Sequence, residues 1–393
     1  MSSRRKQVCI VSTVPFVLNW FMTPHIKLLS KEYDVTLVTN GRDDDLLNLL
    51  GNGVTHIPLR IERKISIWND LIALVKLWRL FRKANFDCVH SIMPKSGLLS
   101  MLAARMAGIP LRFHTFTGQI WANRRGLKRW ILKLADKVIV MNATQVIADS
   151  HSQRDFLVDN NVVRASDIMV FENGSIAGVD STRFKFDADA RDKLRQEMDI
   201  PKNAITFLYL GRLNKEKGLI DLSKGFKIAA KSNDKLHLLV VGPDEDNLDD
   251  LFSALSARFS GRVHRAEYTD YPERYMSASD VFCLPSYREG FGTVIIEAAA
   301  VGLPAIASRI YGITDAVLDG VTGILHKPGS KTEIANAMSS LARNPETRAR
   351  LGRAAKDRVV KDFSVEPIAE ALVSFYQNTF SDAGKSILMD SKV

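Results

Sequence analysis

The sequence predicts an α/β protein of two doubly wound, Rossmann-like halves, and three observations predict it. Short β-branched runs alternate with helical patterns along the first half, a rhythm that builds a parallel sheet. The rhythm restarts in the second half, after a link near residues 173–183 that reads Asn-Gly-Ser-Ile-Ala-Gly at its start. The length of 393 residues exceeds the roughly 250–300 that one core holds.

In order, the first half reads as strand Gln7–Ser12, a helix near Thr23–Lys31, strand Asp34–Thr39 and a helix near Ile67–Ala84. Strand Cys88–Ser91, helix Lys95–Ala107 and strands Leu111–Thr115 and Lys137–Asn142 follow. The second half reads as strand Thr206–Leu210, a helix from Ile220 and strand His237–Val241. Val263, Val281–Pro285 and Ala305–Ser308 continue the strands, and a helix follows Lys331. The predicted domains are residues 1–175 and 176–365. Residues 366–393 form a C-terminal helix that packs back on the first domain and ends in a polar tail. Ligands of such sheets sit beyond the carboxyl ends of the strands. Gly211-Arg212, Gly242-Pro243 and Pro285-Ser286 fall at three of those ends, so that edge of the second half is the expected binding edge.

Composition narrows the partners. No stretch reaches the roughly 20 apolar residues of a membrane span; Lys76, Arg79 and Arg82 interrupt the best candidate. Met-Ser-Ser-Arg-Arg-Lys leads into the strand at Val8–Ser12 rather than into a signal-peptide core. Cys9, Cys88 and Cys283 each sit in an apolar run without metal-ligand spacing, which reads as buried free thiols in a reducing, cytoplasmic compartment. The net charge of +10 is uneven, since residues 1–180 hold 24 Lys and Arg against 15 Asp and Glu. A one-sided basic half suits an anionic membrane surface or a phosphorylated acceptor. With no zinc finger or RNP box beside that charge, nucleic acid is not an expected partner.

The most informative segment is Ser286-Tyr-Arg-Glu289-Gly290-Phe291-Gly292-Thr293-Val-Ile-Ile-Glu297-Ala-Ala-Ala-Val-Gly302-Leu-Pro304. A loop acid and two glycines give way to a helix that is apolar nearly all round, except at Glu297. Burying that carboxylate unpaired would cost several kcal/mol, so something polar must meet it. Were the whole segment helical, the two acids would stand about 80° apart and about 12 Å along the axis. That spacing suits two hydroxyl-bearing ends of one ligand, with phosphates held between them by glycine amides and a helix N-terminus.

Glu289, seven residues and then Glu297 resemble the glutamate pair of retaining glycosyltransferases of family GT4, which have the GT-B fold. Gly211-Arg212-Leu213-Asn-Lys-Glu-Lys217-Gly218 and His114-Thr-Phe-Thr-Gly118-Gln119 carry the same resemblance, which spans roughly residues 8 to 380. His90-Ser-Ile-Met-Pro-Lys95 is similar to bacterial surface-polysaccharide enzymes, of lipopolysaccharide or capsule synthesis. The resemblance implies two Rossmann-like domains facing across a cleft. It implies transfer of a hexose or N-acetylhexosamine from a nucleotide sugar, a UDP-sugar, to a sugar acceptor on undecaprenyl pyrophosphate.

Residue roles follow from the same resemblance. Arg212 offers a fork for two phosphate oxygens of the donor and Lys217 a mobile point charge. Glu289 takes hydroxyls of the transferring sugar, Glu297 takes the ribose hydroxyls, and His114 reaches the donor sugar. Gly242, Pro285, Gly290, Phe291, Gly292 and Thr293 complete the donor site, with Phe291 packed behind glycines that let the backbone approach the phosphates. Two cations neutralise the diphosphate without a divalent ion, so no metal and no cofactor beyond the donor is expected. Asp43-Asp44-Asp45 reads as a solvated helix-start acid cluster. His90, at another strand end, is a second candidate for the histidine role.

The chain departs from the family in its first loop, Thr13-Val-Pro15-Phe16-Val-Leu-Asn19-Trp20-Phe21, where many members carry Gly-Gly. No phosphate role is assigned to it. Two basic amphipathic segments, 67–83 and 123–137, suit peripheral association with the cytoplasmic face of the inner membrane. Packing against the core is the alternative for each. Other functions remain open at this point: a soluble acceptor, a GT-B-fold nucleotide-sugar epimerase, or an inactive scaffold.

Overall fold

The computed structural model describes residues 4–41, 47, 48, 50, 53–63 and 65–390, with side chains described to residue 383. It divides into two compact units, Met1–Gly178 with Val365–Val393, and Val179–Ser364. The acidic run Asp43–Asp45 lies outside the described residues.

The first unit holds a seven-stranded parallel sheet. Its strands are β1 (Gln7–Ser12), β2 (Asp34–Thr39), β3 (Val54–Pro58), β4 (Cys88–Ile92), β5 (Leu111–Phe116), β6 (Gln145–Ala148) and β7 (Ile168–Met169). The order is β3-β2-β1-β4-β5-β6-β7, with Val8 beside both Val35 and Cys88. Every residue of β4 is buried, as expected of a central parallel strand covered on both faces. Helix Pro94–Met106 packs between helices Ile67–Ala84 and Gly126–Asn142. The C-terminal helix Val365–Asp390 belongs to this unit. Tyr376 Oη lies 2.8 Å from His90 Nδ1, and the Phe375 ring is 4.8 Å from that of Phe113.

The second unit holds six parallel strands: β8 (Ile205–Leu210), β9 (Leu236–Val241), β10 (Val263–Ala266), β11 (Val281–Leu284), β12 (Ala305–Ser308) and β13 (Gly323–His326). Their order, β10-β9-β8-β11-β12-β13, reverses direction between β8 and β11. That reversal is the topological switch point at which such sheets open a crevice for ligands. Among the described residues all three cysteines are free and buried. No described helix is long and apolar enough to cross a membrane.

One predicted strand is wrong. Lys137–Asn142 is the last part of helix Gly126–Asn142, and the strand falls later, at β6. The β-branched run Val138-Ile139-Val140 suggested a strand. Helix propensity differs by only tenths of a kcal/mol per residue, and packing overrides it: Ile139 is buried in the core, while Ala143 N closes the helix on Ile139 O at 2.9 Å. Strands β3, β7 and β13 went unread because they are short, and their alternation is weak.

Candidate functional site

At the switch point the loops after β8 and β11 run side by side, and glycine permits it. A Cβ on Gly218 (φ +72°) would fall 2.0 Å from Pro285 O, and one on Gly242 (φ +134°) 2.1 Å from Gly211 O. Tyr287 N donates to Glu216 O at 2.9 Å, and Arg288 pairs with Glu216 at 2.8 Å. Predicted residues Gly242 and Pro285 therefore act here through backbone approach.

The loops carry two cation–acid pairs. Lys217 Nζ donates to Glu289 Oε1 at 2.6 Å, and Ser286 Oγ donates to the same oxygen at 2.7 Å. Asn214 Oδ1 accepts from Lys217 N at 3.2 Å and fixes the turn that presents the lysine. Arg212, 42% exposed, donates through Nη1 to both oxygens of Glu245, at 2.9 and 2.8 Å. Tyr209 Oη, beneath the loop, donates to Arg212 O at 2.7 Å. Burial, with Glu289 nearby, holds the Tyr209 phenol well above its usual pKa and hence protonated. Sequence reasoning assigned no role to Ser286, Glu245, Asn214 or Tyr209. Ser286 stood inside the quoted segment, and Asp244-Glu245-Asp246 was visible as an acidic triplet at a strand end.

The helix begins at Thr293, after Gly292 in the left-handed region (φ +88°). Glu289 therefore lies in the loop, and the all-helix spacing of the two glutamates is not realised. Phe291 is buried, its ring 5.2 Å from Phe363, and it anchors the Gly290–Gly292 turn from behind. Gly312 backs the turn closely, since a Cβ there would lie 2.4 Å from Gly290 O. The first amides of a helix have no intrahelical acceptor, so Thr293 opens a positive end beside the Lys217–Glu289 pair.

Glu297 sits one turn along that helix. Its carboxylate has no hydrogen-bond or ion-pair partner among the described residues, yet the residue keeps part of its surface open. Burial pushes its pKa up to about 7; Arg183 opposes the rise and Glu273 adds to it. This is the carboxylate that the sequence required something polar to meet, and no ion pair among the described residues does so.

The first-unit histidines differ from one another. His114 is fully buried in β5, its Nδ1 lies 2.9 Å from Ser91 Oγ, and its Nε2 has no partner among the described residues. Burial pushes its pKa down to about 3, so the ring is neutral at pH 7. Gly97 makes room for it, since a Cβ there would overlap the imidazole. His90 has both nitrogens engaged, with Tyr376 Oη and Thr115 Oγ1, each at 2.8 Å. It is an interior residue that ties the C-terminal helix to β4. Among the described residues no cluster of three His, Cys, Asp or Glu could hold a metal ion.

The glycine-free first loop is helical, a single π turn at Leu18–Met22 running into helix Thr23–Glu32. Two other helices of this unit leave apolar side chains open. Ile67 and Trp68 are 79% and 77% exposed, with Leu71, Ile72 and Val75 beside them, while Ala73, Leu77 and Phe81 face the core. The core-packing alternative thus holds only for the inner stripe. On helix Gly126–Asn142, Leu127, Trp130, Ile131 and Leu134 are exposed next to Arg125 and Lys128. Arg129 is less free than the sequence suggested, because it stacks on Trp121 and donates to Asn160 Oδ1 at 2.9 Å.

Two family models match the chain: "Glycosyl transferase 4-like domain" over residues 27–174 and "Glycosyl transferases group 1" over residues 190–358. The chain is 31% identical over 355 residues to the capsular polysaccharide biosynthesis glycosyltransferase CapM of Staphylococcus aureus, covering 90% of this chain and 92% of CapM. It is 24% identical to the UDP-Gal:alpha-D-GlcNAc-diphosphoundecaprenol alpha-1,3-galactosyltransferase of Escherichia coli, covering 89% and 90%. Among solved structures it is similar to Anabaena HepE in complex with UDP-glucose, with a TM-score of 0.77 at 18% identity over 95% of this chain and 99% of that one.

Proposed function

Because the chain belongs to the group 1 glycosyltransferases, retaining GT4-type enzymes of the GT-B fold that use nucleotide sugars, we propose which donor and acceptor it takes. The donor is a UDP-hexose or UDP-N-acetylhexosamine. The acceptor is a sugar on undecaprenyl pyrophosphate, and the product enters a bacterial surface polysaccharide. The E. coli relative, named for both a UDP-sugar and a diphosphoundecaprenol acceptor, supports this choice.

The observation that carries the reading is the Lys217–Glu289 pair at the switch point, with Arg212 on the same loop and Glu297 without a hydrogen-bond or ion-pair partner among the described residues on the next helix. As the bond from the sugar to the diphosphate breaks, negative charge grows on the departing phosphate. Arg212 and Lys217 neutralise it in place, and preorganised donors of this kind are commonly worth about 3–4 kcal/mol each. No divalent ion is needed in that step. Glu289, steadied by Lys217 and Ser286, orients hydroxyls of the transferring sugar. Glu297 accepts from the two ribose hydroxyls, and the Gly290–Thr293 turn lies against the phosphates. His114, in the first unit, is neutral at pH 7 and so can offer a hydrogen bond but not act as an acid.

The first unit faces the cytoplasmic side of the membrane. Its exposed Trp68, Leu71, Leu127 and Trp130, beside Arg125 and Lys128, support reversible docking on an anionic bilayer. The test is UDP release from a panel of sugar nucleotides, with and without a polyprenyl-diphosphate-linked sugar. Release that depends on the lipid-linked acceptor supports the proposal. Equal turnover with a soluble sugar overturns its acceptor half, and epimerised donor without UDP release overturns transfer altogether.

A further inference from the structure

The two cations of the donor site are held differently. Lys217 is partly buried against Glu289. Arg212 is open, and only its Nη1 is engaged, by both oxygens of Glu245. Its Nε and Nη2 have no partner among the described residues, so one edge of the fork is available while the other is already taken by an acid.

Glu245 is not there by the chance of a long side chain. Leu213 N donates to Pro243 O at 2.8 Å and Glu245 N donates to Leu213 O at 3.0 Å, which stitches the loop after β9 to the loop carrying Arg212. Asn214 Nδ2 donates to Glu245 Oε2 at 3.2 Å and restrains the carboxylate from the far side. The acid is thus delivered by backbone bonds to a point one guanidinium away from where a diphosphate would bind.

We propose that Glu245 is a positioning residue that competes with the diphosphate for Arg212 and thereby sets release of the nucleoside diphosphate product. This rests on the assignment of Arg212 to the donor phosphates. An ion pair this exposed is weak, so it yields Arg212 to a ligand carrying two or three negative charges. Once the sugar has left, the same carboxylate offers Arg212 a replacement partner. A site holding only cations would bind the product more tightly than the reaction can use, because uniform binding lowers KM without raising kcat.

The test is a double-mutant cycle on the full chain, read by calorimetric binding of UDP and of uridine. Glu245→Gln keeps the shape and removes the charge. It is expected to tighten UDP by up to about fivefold, to leave uridine unchanged, and to lower both the donor KM and kcat. In an Arg212→Ala background the same change should no longer affect UDP. Unchanged or weaker UDP binding by Glu245→Gln, with Arg212→Ala still impaired, overturns this inference alone. Tighter binding of uridine as well also overturns it, since the effect would not then be on phosphate. Arg212→Ala that binds UDP as the parent does removes the donor-site assignment itself.

Discussion

Lys217 and Glu289, 72 residues apart in the chain, meet at 2.6 Å across the point where the second sheet reverses its strand order. The pair is partly buried, and the lysine and the acid each keep an exposed edge. A cation and an acid held in one charge-assisted bond are pre-positioned before any ligand arrives. Four predictions follow from this arrangement and its surroundings.

Removing either cation should damage the chemical step more than the fold. Arg212→Ala and Lys217→Ala are each expected to lower kcat by roughly 10²–10³, with circular dichroism unchanged. Lys217→Ala leaves Glu289 with only Ser286, so its melting temperature should fall slightly more than that of the exposed Arg212 variant. A normal rate in either variant contradicts the phosphate assignment.

Glu297 should trade stability for ligand affinity. Burial holds its folded pKa at about 7, above the ordinary value of 4.5. The contribution of this group is therefore fully present below about 4.5 and lost as pH rises through 7. Glu297→Gln escapes that loss and is expected to be more stable than the parent at pH 8, by on the order of 1–3 kcal/mol, with the gain vanishing near pH 4.5. UDP affinity of the parent should fall as pH drops below 7 and the carboxylate protonates. The variant should bind UDP weakly and without that dependence. Melting and titration at pH 5, 6, 7 and 8 check both limbs, and a parent more stable than the variant at pH 8 contradicts the account.

Activity should survive saturating EDTA if, as proposed, Arg212 and Lys217 neutralise the departing diphosphate. Complete loss, restored by Mg²⁺ or Mn²⁺, would mean that a divalent ion does this work.

Vesicle binding should have two separable parts. A Lys or Arg near an anionic surface contributes about 1 kcal/mol, screened beyond a Debye length of roughly 8 Å. Arg125→Glu with Lys128→Glu should weaken binding to anionic vesicles and remove most of its salt dependence. Trp68→Ala with Leu71→Ala should weaken binding in a salt-independent way, since the loss is apolar area. Sedimentation at two salt concentrations distinguishes these, and absence of binding by the parent favours a soluble acceptor.

Much of this was legible in the chain. Strands β1, β2, β8, β9 and β12 and helix Ile67–Ala84 follow from local periodicity, because a buried parallel strand or an amphipathic helix writes its pattern in adjacent residues. The motif around Glu289 and Glu297 was equally local, and it pointed to the family. The strand wrongly placed at Lys137–Asn142 shows the limit: propensity decides little where a neighbouring layer decides packing.

What the sequence determined by itself was therefore the alternating α/β rhythm, the two-part division of charge and the motifs that mark the family. Only the tertiary structure decided that Lys217 pairs with Glu289, that Glu245 holds Arg212, that Glu297 has no hydrogen-bond or ion-pair partner among the described residues and that both nitrogens of His90 are engaged inside the first unit. Each of these depends on strands from distant parts of the chain lying side by side. A carboxylate's partner, and with it its charge and its freedom to meet a ligand, is set by neighbours in space rather than in sequence.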